Sequence, residues 1–185
     1  MNTYEFNRFL QLNNIRIFRL NDVVKIINKP KHYATIFLSR NKELKRAENG
    51  LYYTKEATEY EVASKIVNPS YISLISALRF HNLTEQMPNV IYILSNKRHR
   101  PVNNLNGFKV EFRTIKKSLM FGYQKFDDTF VATPEKAVID MIYLRSFIEY
   151  AEEVMESGKL NRSRLNQYSR MSREKIVSDW LHKFS

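Results

Sequence analysis

The sequence predicts an α+β fold, with an N-terminal winged helix-turn-helix followed by a mixed α/β C-terminal domain that has a helical end. Three observations predict it. Two short helical stripes meet at Asn28-Lys29-Pro30, and proline cannot continue a helix but suits the first turn of the next one. Asn49-Gly50 lies beside a strand-favouring run, which is a hairpin signal. Further on, apolar runs and one alternating segment are interleaved with capped helix starts. The expected domains are 1–55 and 60–185.

Each N-terminal element follows from its spacing. Thr3 to Leu12 carries Tyr4, Phe6, Phe9 and Leu10 as an amphipathic helix. Ile15 to Phe18 is a brief strand. Asn21 reads as an N-cap, with Asp22 in the first turn where the helix dipole favours an acid. Val23, Val24, Ile26 and Ile27 form that helix's buried face. The next helix is predicted over Lys31 to Lys42, with Ala34, Phe37 and Leu38 inward. Lys31, His32, Tyr33, Thr35, Ser39 and Arg40 are left for its other faces. Two short helices joined by a tight turn, the second lined with basic, aromatic and hydroxyl side chains, form the helix-turn-helix pattern. A two-stranded wing around Asn49-Gly50 follows, both residues tolerating positive φ, with Lys45 and Arg46 on its phosphate-facing side.

In the second domain, Val62, Ala63, Ile66 and Val67 form a short helix face after the acidic connection Glu56 to Glu61. Asn68-Pro69 is expected to open a helix, Asn68 as cap and Pro69 at the first position, with Tyr71, Ile72, Ile75 and Leu78 on its core side. Asn82 should stop it. Val90 to Leu94 is a buried strand, Lys109 to Thr114 a half-exposed one, and Thr129 to Ala132 a third. Thr133-Pro134-Glu135 marks a helix start, followed by Ala137, Val138, Met141, Ile142 and Leu144. Ser146 to Glu156 and Arg173 to Phe184 complete the helical end.

Composition narrows the function. The net charge of +11 favours a polyanionic partner, nucleic acid first and an anionic membrane surface second. Residues 1–55 hold 11 Lys+Arg against 4 Asp+Glu, so the N-terminal third is the most basic. There are no cysteines, which removes thiolate zinc sites, disulfides and a Cys nucleophile. Met1 to Asn14 is polar, so no signal peptide is expected, and no apolar stretch is long enough to span a bilayer. A cytoplasmic protein with no membrane partner is the expectation.

Several segments resemble a known family. Asn49-Gly50-Leu51-Tyr52 resembles the wing tip of AbiEi-type antitoxins. Pro69 to Ser73, Ser76-Ala77-Leu78 and His81 to Gln86 resemble that family's central segment, and Thr133-Pro134-Glu135-Lys136-Ala137 with Asp140 its later helix start. The blocks keep the family's order up to about residue 145, while Ser39 to Leu44 departs from its glycine-bearing turn. The resemblance implies a type IV toxin-antitoxin regulator that binds promoter repeats, represses its own promoter and counteracts a nucleotidyltransferase-type toxin.

An enzyme reading finds little support. His32, His81, His99 and His182 show no metal spacing, four glycines leave no phosphate-cradling loop, and no Gly-x-Ser-x-Gly occurs. Asp127, Asp128, Glu135 and Lys136 are the best candidates for a Mg²⁺-dependent nuclease. Glu135 is better explained as a helix-dipole acid, and Asp140 as an intrahelical partner of Lys136. Ser73 and Ser76 read as small residues at a helix contact, and His81 as a base near a helix end. No enzyme activity, cofactor or metal site is expected.

The leading expectation is a repressor that binds repeats in double-stranded DNA, a role open to a homodimer although no dimer interface is legible in the sequence. Its contact set is Lys31, His32, Tyr33, Thr35, Arg40 and Lys42, with Lys45, Arg46 and Asn49 on the wing. Lys97, Arg98 and Arg100 form an accessory basic loop. The alternatives are a protein-interaction module that neutralises a partner without DNA, and the nuclease.

Overall fold

The computed structural model describes residues 1–85 and 89–184. Gln86, the end of one resembling segment, and Ser185, the end of the second expected domain, lie outside them. The chain is a mixed α+β fold with nine helices and two sheets among the described residues. It divides into two units, Met1–Ile66 and Val67–Ser185. The division falls later than the predicted 55/60 break. Helix α4 (Glu59–Ile66) belongs to the first unit, where Glu61 pairs with Arg16 at 2.7 Å and Arg19 donates to the Lys65 carbonyl at 2.8 Å.

The first unit begins with α1 (Thr3–Leu12), closed by a reciprocal box in which Asn2 and Glu5 cap each other's backbone N–H. Strand β1 (Ile17–Arg19) leads into α2 (Leu20–Ile27). That helix starts before Asn21, which is therefore not its cap. Asp22 accepts the Arg19 N–H at 2.8 Å, so Arg19 takes the cap position. Asn28 ends α2 in the left-handed conformation. Helix α3 (Lys31–Arg40) follows Pro30 and stops two residues short of the predicted Lys42. Asn41 is the reason: its buried amide donates to Asn7 on α1 at 2.7 Å and its oxygen accepts the Glu43 N–H at 3.2 Å. The chain then forms β2 (Leu44–Glu48) and β3 (Leu51–Thr54), in a three-stranded antiparallel sheet of order β1-β3-β2. Of the turn residues, only Gly50 takes a positive φ, not Asn49 as well. Phe6, Leu10, Phe18, Val23, Ala34, Leu38 and Tyr52 make the core. Phe6 meets both Phe18 and Phe37 edge to face.

The second unit is built on a six-stranded sheet of order β6-β7-β5-β4-β9-β8. Its elements run β4 (Ser70–Ile72), α5 (Leu74–Phe80), β5 (Val90–Ser95), β6 (Val102–Leu105), β7 (Phe108–Thr114), β8 (Tyr123–Phe126), β9 (Thr129–Ala132), α6 (Pro134–Leu144), α7 (Ile148–Glu156), α8 (Arg162–Ser172) and α9 (Lys175–Leu181). The β5–β7 and β4–β9 pairs are parallel and the rest antiparallel. Asn68-Pro69 opens no helix, which corrects the sequence expectation: the peptide is cis and a strand follows. Strand β4 lies in mid-sheet with all three residues buried. A strand buried on both faces has no alternation to read, so its apolar run looks like a helix face. Asn82, just past α5, does adopt the left-handed conformation of a stop. Thr133 caps α6 with Pro134 at the first position, as the sequence predicts. Strands β6 and β8 and helix α8 are elements the sequence reading missed.

Candidate nucleic-acid interface

Helix α3 divides sharply between two faces. At about 100° per residue, the buried Ala34 and Leu38 and the half-buried Phe37 share one side. His32, Tyr33, Thr35, Ile36, Ser39 and Arg40 are exposed around the rest of the helix, while Lys31, on the side of Ala34 and Leu38, is exposed at the first residue. None of these exposed residues is acidic, and the first turn of α3 carries no acid to balance Lys31 at the positive end of the helix. The Thr35 hydroxyl is turned back onto the Lys31 carbonyl at 3.0 Å.

The hairpin supplies a second group. Lys45, Arg46 and Asn49 are exposed. Arg46 donates to the Asn49 side chain and, at 3.2 Å, to the Glu48 carbonyl, which holds the guanidinium over the turn. Lys42 lies beyond α3, in the connection to β2. The start of α2, the start of α3 and the hairpin turn enclose a concavity of about 380 Å³ lined by Arg19, Leu20, Asn21, Lys31, Asn49 and Gly50. It has two cationic side chains and no carboxylate. The predicted contact residues Lys31 and Asn49 are thus brought together, and Arg19, which the sequence reading did not single out, joins them. Ile36 was also missed. Its signal was available, since it falls outside the Ala34–Phe37–Leu38 stripe.

In the second unit, Lys97, Arg98 and Arg100 are exposed in the β5–β6 loop, with the Lys97 ammonium bonded to the Asn68 carbonyl. The nuclease candidates are not assembled. Asp127 and Asp128 are exposed in the β8–β9 turn, whereas Glu135 is buried and accepts the Asn161 N–H at 2.9 Å. Among the described residues no three His, Cys, Asp or Glu side chains form a metal-holding group. His81 ends α5 with its Nε2 at 2.8 Å from the Ala132 carbonyl.

Lys136 and Asp140 do form the expected intrahelical pair, but both are fully buried. The hydroxyls of Tyr71 (2.9 Å) and Ser73 (2.7 Å) donate to Asp140, and Lys136 donates to the Tyr71 oxygen at 2.9 Å. Ser73 is therefore an anchor for α6 rather than a small residue at a helix contact. Ser76 likewise accepts the Tyr92 N–H at 3.0 Å. Burial holds the Lys136 ammonium below its ordinary pKa and the Asp140 carboxyl above its own. Gly122 packs over this network with φ +72°, where an added Cβ would lie 3.1 Å from Lys136 Cβ and 3.0 Å from Tyr168. Gly122→Ala is expected to cost roughly 1–3 kcal/mol, read as a lower thermal midpoint; an unchanged midpoint would contradict this packing.

No protein-family model and no curated protein matches the chain. No helix among the described residues is long and apolar enough to cross a membrane.

Proposed function

We propose that Met1–Thr54 is a winged helix-turn-helix that binds duplex DNA, with α3 in the major groove and the β2–β3 hairpin as the wing. The observation that carries the reading is the exposed surface of α3, which has Arg40 on its outward side, Lys31 at its first residue and no carboxylate. The concavity beside it adds Arg19 and the backbone at the start of α2, a chemistry suited to a phosphate. Lys45 and Arg46 on the hairpin extend the same charge.

On this reading the chain is a repressor. The resemblance to AbiEi-type antitoxins supplies the rest of the proposal: autoregulation at promoter repeats and neutralisation of a nucleotidyltransferase-type toxin by the body of the chain. A gel-shift titration of the full chain against duplex DNA tests the first part. The logarithm of the binding constant is expected to fall linearly with the logarithm of salt, with a slope of about −0.9 per phosphate contacted. No binding at low salt, or a flat response, would overturn the DNA reading.

A second reading is a protein-interaction module. It draws on the exposed Phe80 and Phe126 of the second unit, whose rings meet at 4.9 Å. Paired exposed aromatics are a common anchor for a partner protein.

A further inference from the structure

Ile36 is the most anomalous residue on α3. It is 47% exposed. The other large aliphatic and aromatic residues from Leu20 to Phe37, Tyr33 apart, pack into or against the core of the first unit. Its neighbours one turn away are His32, Tyr33, Ser39 and Arg40, all exposed. Opposite the buried Ala34 and Leu38, the outward centre of the helix therefore falls on Ile36, with His32 and Arg40 about 40° to either side. An apolar side chain there keeps about half of its surface in water.

We infer that Ile36 reads the C5-methyl group of a pyrimidine in the major groove, a determinant of sequence preference that rests on the DNA reading above. Phosphates take hydrogen bonds and charge, which Ile36 cannot supply. The groove floor offers one apolar feature, the methyl of thymine, or of 5-methylcytosine where cytosine is modified. An aliphatic residue at the centre of a helix face flanked by His32 and Arg40 has the chemistry for that contact. His32 and Ser39 beside it supply the polar reach for adjacent base edges.

The test begins with selection from a random duplex library by the full-length protein. Each thymine of the enriched site is then replaced singly by deoxyuridine, which removes only the methyl. One replacement per half-site is expected to weaken binding about 3- to 5-fold, the effect of burying one methyl. Ile36→Ser should bind the two duplexes equally while keeping the wild-type thermal midpoint, and Ile36→Val should retain the preference. A parallel library made with 5-methylcytosine identifies the source of the methyl: thymine returns the same site from both libraries, and 5-methylcytosine a new site only from the second.

The inference is overturned if every deoxyuridine is neutral and the modified library returns nothing new, or if the penalty persists in Ile36→Ser. It is also overturned if that variant instead changes self-association, since Ile36 would then face a second copy of the chain. Absence of binding by the wild type to any duplex would overturn the DNA reading itself, a distinct outcome.

Discussion

Asp140→Ala is expected to destabilise the second unit by roughly 3–5 kcal/mol, the cost of leaving a buried lysine without its counter-charge. Lys136 is completely inaccessible, and of its oxygen partners only Tyr71 would remain. Tyr71 and Ser73 would each lose an acceptor as well. The Lys136→Met/Asp140→Leu double variant should recover most of the loss, because apolar groups of similar volume need no partner. A double-mutant cycle by urea denaturation checks both statements. Additive losses would mean that the pair does not act as a unit.

Lys136→Met alone gives a pH signature of defined sign. Burial raises the Asp140 pKa above its ordinary 3.8, and Lys136 is the largest influence pulling it back down. Without Lys136 the carboxyl is raised further. A raised acid makes the folded state hold its proton longer than the unfolded chain. Stability of the variant is therefore greatest below the ordinary carboxylate pKa and falls as pH rises from about 4. It levels off once Asp140 ionises in the folded state. A denaturation midpoint that increases over that range would refute the assignment.

The second large effect concerns binding. Lys31→Ala/Arg40→Ala/Lys45→Ala is expected to weaken duplex binding on the order of 100-fold at moderate salt, and to make the log–log salt slope shallower by about 3. All three side chains are exposed and outside the core of the first unit. The thermal midpoint should therefore stay nearly unchanged, since surface substitutions of this kind fall within about 0.5 kcal/mol. Equal binding by the triple variant would remove α3 and the hairpin from the interface.

Local signals made the first unit largely legible. Apolar spacing defined α1, α2 and α3, and Asn49-Gly50 marked the hairpin, because each is set by residues within a few positions of one another. The end of α3 was misplaced for a long-range reason. The Asn41–Asn7 bond shortens α3, and no local pattern announces it. In the second unit β4 was misread because both its faces are covered, and α8 because its exposed, polar sequence shows a weak apolar stripe. Of the candidate site, the cations were found from charge alone. Arg19 emerged only when the surface was known, whereas Ile36 could have been read from its place outside the Ala34–Phe37–Leu38 stripe.

By itself the sequence determined the cap at Thr133, the break at Pro30, the turn at Gly50 and the concentration of cations in the N-terminal third. These depend on the conformational limits of single residues and on charge count. Only the tertiary structure decided that Lys136 and Asp140 are buried with Tyr71 and Ser73, and that Ser70–Ile72 is a central strand. Burial is a property of what packs against a residue, and those partners lie up to 69 positions away in the chain.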